Sequence, residues 1–168
     1  MPLLTLVDFI TEALDKGDYV IGLFLDFSKA FDTVNHKILF DKLNCYGIRG
    51  VAHDWICDYL SDRQQYVMYE GHKSNTLSIK CGVPQGSVLG LLLFLLYVND
   101  IVNVSDILLP ILFADDTNSL ARGKNLEELI SNVNTELEKI VTWLAANKLS
   151  LNVKKNSLYA VCHQRQEN

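Results

Sequence analysis

The chain has 168 residues, 49 % hydrophobic and 21 % charged, with a formal net charge of -5. That length carries one domain with a real core, and the composition is globular, which excludes a disordered or fibrous chain. The acidic balance argues against a free-standing nucleic-acid binder, whose electrostatic footprint is basic.

Leu3, Leu6, Val7, Ile10 and Leu14 recur at helical spacing over residues 3–15, and Gly17 is the stop. Tyr19 to Phe27 is a continuous apolar run interrupted only by Asp26 near its end, which predicts a buried strand. Asn35 is placed to cap a helix over 36–44, with Ile38, Leu39, Leu43 and Tyr46 on one face. A second helix is predicted over 50–60, with Val51, Trp55, Ile56, Tyr59 and Leu60 inward. Gln65–Tyr69 and Thr76–Lys80 read as paired strands around a turn at Glu70–Asn75. Gly82 to Gly86 is a loop containing Pro84, and Ser87 caps an apolar helix over 88–103. Ile107–Ala114 is a strand, Asp115-Asp116 a turn and Thr117–Ala121 a returning strand. Residues 125–147 form the longest helix, its stripe running Leu126, Leu129, Ile130, Val133, Leu137, Ile140, Val141 and Leu144. Ser157–Val161 is a last strand, and the charged tail over 161–168 frays. The fold class is therefore α+β: a small, mostly antiparallel sheet with helices packed on one face.

Cys45, Cys57, Cys81 and Cys162 form no CxxC pair and have no histidine at metal-ligand spacing, so they read as reduced, partly buried thiols. The N-terminus lacks a basic region ahead of an apolar one, and the greasiest run, Val88–Val98, is too short to span a bilayer. These features predict an intracellular protein, nuclear or cytoplasmic, neither secreted nor in a membrane.

Chemistry concentrates at two strand ends. One apolar strand ends at Asp26 in GLFLDFSKAFD, the other at Asp115 and Asp116 in PILFADDT. Two carboxylates about 4 Å apart repel by about 4 kcal/mol at an effective dielectric near 20. Were all three to converge, a hard divalent cation such as Mg²⁺ would relieve them. A pair of such ions about 4 Å apart supports in-line phosphoryl displacement, hence nucleotidyl transfer. Taken singly, Asp-Asp is ordinary turn chemistry, and an acid after a strand is an ordinary cap. The Gly/Pro-rich loop GVPQGSVLG, Gly82–Gly90, leads into a helix N-terminus that can face phosphate, or it is simply a tight connection.

Together and in this order, these segments resemble the reverse transcriptases of non-LTR (LINE-type, Jockey-like) retrotransposons. FLDFSKAFDTVNH resembles that family's first palm motif, GVPQGSVLG its second, FADDT its third and WLAANKLSLNVKKN, Trp143–Asn156, its fourth. YLSDRQQYV (Tyr59–Val67) and LLFLLYVNDI (Leu92–Ile101) are similar as well, so the resemblance runs from about residue 5 to 160. It implies a polymerase palm over residues 1–160 as part of a reverse transcriptase domain. The implied partners are an RNA template, a DNA primer and dNTPs, and the implied cofactor is two Mg²⁺ ions, with Mn²⁺ as an alternative.

By the same resemblance, Asp26 and Asp115 ligate both ions, Asp116 is the weaker member, and the Phe27 carbonyl adds an oxygen. Phe31 matches the aromatic that excludes a 2′-hydroxyl by occupying its space. Gln85 matches the residue contacting the incoming nucleotide, and Gly86 leaves room for the backbone there. Lys155 matches a lysine that can protonate the pyrophosphate leaving group, although beside Lys154 it is equally a solvated charge. Arg63 and Lys80 are candidates for phosphate contacts but read better as solvated surface, Trp55 and Trp143 as core aromatics, and the four histidines as structural or exposed.

Two positions depart from the family pattern: Leu91 stands where Pro follows Leu-Gly, and Asn156 where Thr follows Lys155. The basic fingers upstream and the thumb downstream are expected to lie outside this stretch, so the chain alone is expected to polymerise weakly or not at all. The competing reading is a non-catalytic retroelement remnant, at most a folded binding module. A third, an RNA-templated RNA polymerase, is disfavoured by Phe31 and by FADD in place of GDD.

Overall fold

A computed structural model describes residues 2–113, 116–152 and 157–161, with backbone alone at 2, 113, 116 and 157–161. In chain order the elements are α1 (Pro2–Asp15), β1 (Tyr19–Asp26), a 3-10 turn (Ala30–Asp32), α2 (His36–Cys45) and α3 (Val51–Leu60). The short strands β2 (Gln64–Gln65), β3 (Met68–Tyr69), β4 (His72–Lys73) and β5 (Leu77–Ser78) precede α4 (Val88–Val98) and a 3-10 segment (Asn99–Asn103). Then come β6 (Leu109–Phe113), β7 (Asp116–Gly123), α5 (Leu126–Ala146) and β8 (Ser157–Val161). The chain divides into two compact units, residues 1–28 with 100–168, and residues 29–99.

The first unit is built on a four-stranded sheet in the order β6-β7-β1-β8, each neighbouring pair antiparallel. β1 runs beside β7 from Tyr19 opposite Gly123 to Asp26 opposite Asp116, and beside β8 from Val20 opposite Val161 to Phe24 opposite Ser157. β1 is paired on both edges and packs against α1 and α5, and Val20 on one of its faces and Ile21, Leu23 and Leu25 on the other are all core. That is why its sequence reads as an unbroken apolar run rather than an alternating one. Asn125 caps α5 by accepting from the amides of Glu127 and Glu128.

The buried stripe of α5 is Leu129, Val133, Glu136, Ile140 and Leu144. Ile130 and Val141, assigned to that stripe by periodicity, are exposed, and a carboxylate takes an inner position. Glu136 is only 4 % exposed. A charge so placed needs a partner, and Lys139 donates to its Oε1 at 2.8 Å. The Lys139 hydrogen bond, followed by one from the Ser105 hydroxyl, holds the Glu136 carboxyl below its ordinary 4.5 against the opposing effect of burial.

The second unit packs α2 and α4 around Leu39, Leu43, Leu93, Phe94, Tyr97 and Leu60 of α3. Asn35 caps α2 through Ile38 N–H, and Ser87 caps α4 through Gly90 N–H. The apolar helix after Ser87 ends at Val98 instead of 103, and the chain continues as a 3-10 segment. The predicted hairpin is present in pieces: β2 pairs with β5, and β3 with β4. Glu70 and Gly71 form its two-residue turn with φ of 46° and 80°, as a twisted hairpin requires.

Two sequence assignments fail in this unit. Trp55 is 57 % exposed and Val51 87 % exposed, so that face of α3 is not core. Trp55 instead stacks on Tyr59, rings 5.7 Å apart and 13° from parallel, and Arg63 lies over the other ring. The thiols also differ from expectation: Cys45 and Cys81 are exposed, and only Cys57 is half-buried. Burial first, and Asp54 second, push the Cys57 thiol up. Cys162 lies outside the described residues. No helix among the described residues is long and apolar enough to cross a membrane.

Candidate active site

In the first unit the last residue of β1 stands opposite the first residue of β7: Asp26 pairs with Asp116 in the sheet register. Asp116 is thus a strand residue, although the sequence places it in a turn. It also stands opposite Phe113 of β6, across residues 114 and 115. Asp115 itself, the side chain of Asp116, and Lys155 lie outside the described residues.

Asp26 is half-buried and is held by a residue that sequence reasoning passed over. Asn152 donates its backbone N–H to the Asp26 carbonyl at 2.8 Å and its side-chain Nδ2 to Asp26 Oδ2 at 2.9 Å. With Ser28 N–H donating to Ser150 O at 2.8 Å and Phe27 bridging Leu151, the stretch after α5 runs antiparallel to residues 26–28. These two backbone bonds flank Phe27, so its own carbonyl takes no part in that ladder. The only sequence cue to this clamp was the position of Asn152 within the fourth motif-like stretch, nine residues after Trp143.

In the second unit, the loop before α4 is fastened to the segment around the 3-10 turn. Gly82 N–H donates to Val34 O and Val83 N–H to Phe31 O, both at 2.8 Å, and His36 Nε2 donates to Gly82 O at 2.7 Å. Ser87 Oγ donates to Pro84 O at 2.9 Å while accepting from Gly90 N–H, which folds the loop back on the helix start. A Cβ on Gly90 would lie 2.1 Å from Pro84 O, so only glycine permits this approach. Gly86 has φ +78° and no atom within 4 Å of an added Cβ, so its own backbone conformation already favours glycine.

This arrangement opens a cleft of about 430 Å³ whose lining includes Phe31, Pro84, Gln85, Gly86 and Leu91. Three residues singled out by sequence, Phe31, Gln85 and Gly86, therefore share one wall. Phe31 packs on the fully buried Phe94, ring centroids 4.7 Å apart. Gln85 Nε2 donates to Asp32 Oδ1 at 2.8 Å. Leu91 is the fourth residue of α4, not in its opening positions, and its N–H donates to Ser87 O at 3.3 Å, a bond that proline would forfeit. Arg63 lines a second groove of this unit together with Lys29 and Asp32.

Residues 3–166 match the family model described as reverse transcriptase (RNA-dependent DNA polymerase). The chain is 31 % identical over 157 residues to the RNA-directed DNA polymerase from mobile element jockey of Drosophila melanogaster, covering 89 % of this chain and 17 % of that protein. Against the probable RNA-directed DNA polymerase from transposon BS of the same fly, identity is 28 % over 163 residues, again 89 % and 17 % of the two chains. The chain thus spans about a sixth of the curated relatives it matches. Among solved structures, an apo telomerase from Candida tropicalis superposes with a TM-score of 0.67 at 16 % identity, covering 96 % of this chain and 35 % of that one. At that identity the likeness shows the fold.

Proposed function

The chain belongs to the reverse transcriptase (RNA-dependent DNA polymerase) family, and on that premise we propose that it forms the palm of a non-LTR retrotransposon reverse transcriptase. Its reaction is transfer of a deoxynucleotide to the 3′-hydroxyl of a DNA primer along an RNA template. The partners are those two strands and dNTPs, so the protein works inside the cell, in nucleus or cytoplasm. Because the matched relatives are about five times as long, the activity is proposed for the reverse transcriptase as a whole, and this stretch alone is expected to polymerise weakly or not at all.

The observation that carries this reading is the register that sets Asp26 against Asp116 at one end of one sheet. Residues directly opposite across an antiparallel pair share a face, and like charges so placed destabilise the sheet. Hard divalent cations suit such a donor set. Asp26, Asp115 and Asp116, with the Phe27 carbonyl, would hold two Mg²⁺ or Mn²⁺ ions. When bound, such ions supply a lowered pKa at the attacking hydroxyl and neutralise charge on the phosphates.

The remaining roles belong to the chain's own side chains. Asn152 fixes the Asp26 carboxylate in one orientation through its donated bond. Phe31, backed by Phe94, places a ring where a 2′-hydroxyl would need space. Gln85 contacts the incoming nucleotide beside Gly86, and Lys155 delivers a proton to the departing pyrophosphate.

Calorimetric titration of the 168-residue chain with Mn²⁺ tests the carboxylate site. The wild type should bind, and Asp26→Asn and Asp116→Asn should each weaken binding by at least tenfold, as loss of a ligand charge does. Equal binding by all three would overturn the reading. Primer extension on an RNA template, run in parallel, should give little product from the chain alone. Abundant product would contradict that part and leave the site assignment standing.

A further inference from the structure

The Gln85 contact with Asp32 joins the loop before α4 to the end of the 3-10 turn across 53 residues of sequence, at 2.8 Å. Both side chains are exposed, so the bond adds little to the stability of the unit. Its information lies in its direction. An ionised carboxylate only accepts, whereas a glutamine amide has a donating and an accepting end. The amide nitrogen must therefore turn to Asp32, and the carbonyl Oε1 is the end left over. Among the described residues Oε1 accepts no hydrogen bond.

We propose that Asp32 is a positioning residue for Gln85: by taking the amide N–H, it makes Gln85 a hydrogen-bond acceptor for a sugar hydroxyl of the nucleotide in the Phe31 cleft. This rests on the nucleotide-contact role given to Gln85 above and adds its polarity and the residue that sets it. Gln85 borders the cleft with Phe31 and also the groove with Asp32, so it is the side chain through which Asp32 acts on the cleft. The distance is not held by the pair itself. Val83 N–H to Phe31 O and Gly82 N–H to Val34 O bracket Asp32 on either side, and Thr33 Oγ1 returns to the carbonyls of Lys29 and Ala30. Loss of the Asp32 carboxylate thus frees the amide to rotate without moving the loop.

The test uses the full 168-residue chain, ¹⁵N-labelled, with dTTP and Mn²⁺-free Mg²⁺ buffer, and the variants Asp32→Ala, Asp32→Asn, Asp32→Glu, Gln85→Ala and the double Asp32→Ala/Gln85→Ala. Asp32→Ala should weaken dTTP binding by about tenfold, the worth of one positioned hydrogen bond, with thermal midpoint unchanged. Asp32→Asn should do the same, because its amide can donate to Oε1 and reverse Gln85. Asp32→Glu should recover part of the loss. In the Gln85→Ala background, removal of Asp32 should change nothing further. The Gln85 side-chain NH₂ resonance should move upfield in Asp32→Ala, reporting the lost charge-assisted bond whatever the binding. Unaltered dTTP affinity in Asp32→Ala, additive losses in the double variant, or an unmoved NH₂ resonance would each overturn the proposal. A wild type that binds no dTTP while Asp32→Ala still shifts that resonance would instead overturn the nucleotide role of Gln85 and leave its orientation by Asp32 standing.

Discussion

Asn152 grips Asp26 twice, its backbone N–H on the carbonyl at 2.8 Å and its side-chain amide on Oδ2 at 2.9 Å. The two residues are 126 positions apart in sequence, so the contact exists only when the stretch after α5 has docked beside the end of β1. A charged acceptor strengthens such a bond, and a planar amide fixes the carboxylate's rotation as well as its place. Asn152→Ala should therefore lower Mn²⁺ affinity by roughly 10–100-fold, the usual effect of removing a group that orients a metal ligand. Calorimetric titration against the wild type checks this. Asn152→Asp, which removes the donor and adds a like charge, should be worse below saturation unless the new carboxylate itself ligates, which a tighter isotherm would reveal.

The loop before α4 separates two kinds of glycine. Gly90→Ala forces a methyl to 2.1 Å from Pro84 O, and because that oxygen also accepts from Ser87, neither neighbour can retreat without breaking the cap. The expected cost is about 1–3 kcal/mol in urea unfolding. Gly86→Ala meets no atom within 4 Å and pays only for its φ of +78°, about 1–2 kcal/mol. Both should lower the midpoint, but only Gly90→Ala should also distort α4, seen as lost protection of its first amides in hydrogen exchange.

Phe31 has Phe94 as its backing ring. Phe94→Leu keeps an apolar core at a cost of about 1 kcal/mol but withdraws the flat support. It should reduce discrimination between dTTP and UTP in binding, with Phe31→Ala reducing it further. Competition titration of the two nucleotides measures the ratio. An unchanged ratio in Phe31→Ala would remove the sugar-excluding role from this residue.

Glu136 predicts a pH dependence of stability. Its folded carboxyl is held below the ordinary 4.5 by Lys139 and then Ser105. A depressed folded value stabilises the native state above the unfolded value, and that contribution disappears as pH falls through the folded value. The urea midpoint of the wild type should thus exceed that of Glu136→Gln at pH 7, and the gap should close as pH is lowered from about 5 to about 3. A gap that stays constant across that window would remove Glu136 from the acid response.

Elements with one strong local signal were legible in the sequence. The two-faced burial of β1 follows from its unbroken apolar run, and Asn35 and Ser87 cap the helices that their side chains suit. The bounds of α4 were not legible, because an apolar stretch does not say where α-helical hydrogen bonding gives way to 3-10. Trp55 was misplaced because helical spacing reports a face, and nothing in the spacing says whether another element covers it. Glu136 was missed for the converse reason: a charge on an apolar stripe is tolerated once Lys139, three residues on, supplies a partner. At the candidate site, the acids stood out as types in a pattern. The clamps, Asn152 on Asp26 and Asp32 on Gln85, are long-range pairings, and one sequence carries no sign of which distant polar residues will meet.

The strand order has a consequence for synthesis. β1 is complete at residue 26, yet the strands on its two edges end at residues 123 and 161. At about 5–20 residues per second, a nascent chain keeps that apolar strand without either neighbour for roughly ten seconds. The contiguous unit 29–99 can mature on the ribosome in the meantime. β1 must wait, with both hydrogen-bonding edges open, which makes it the segment on which a chaperone acting during translation has most to do.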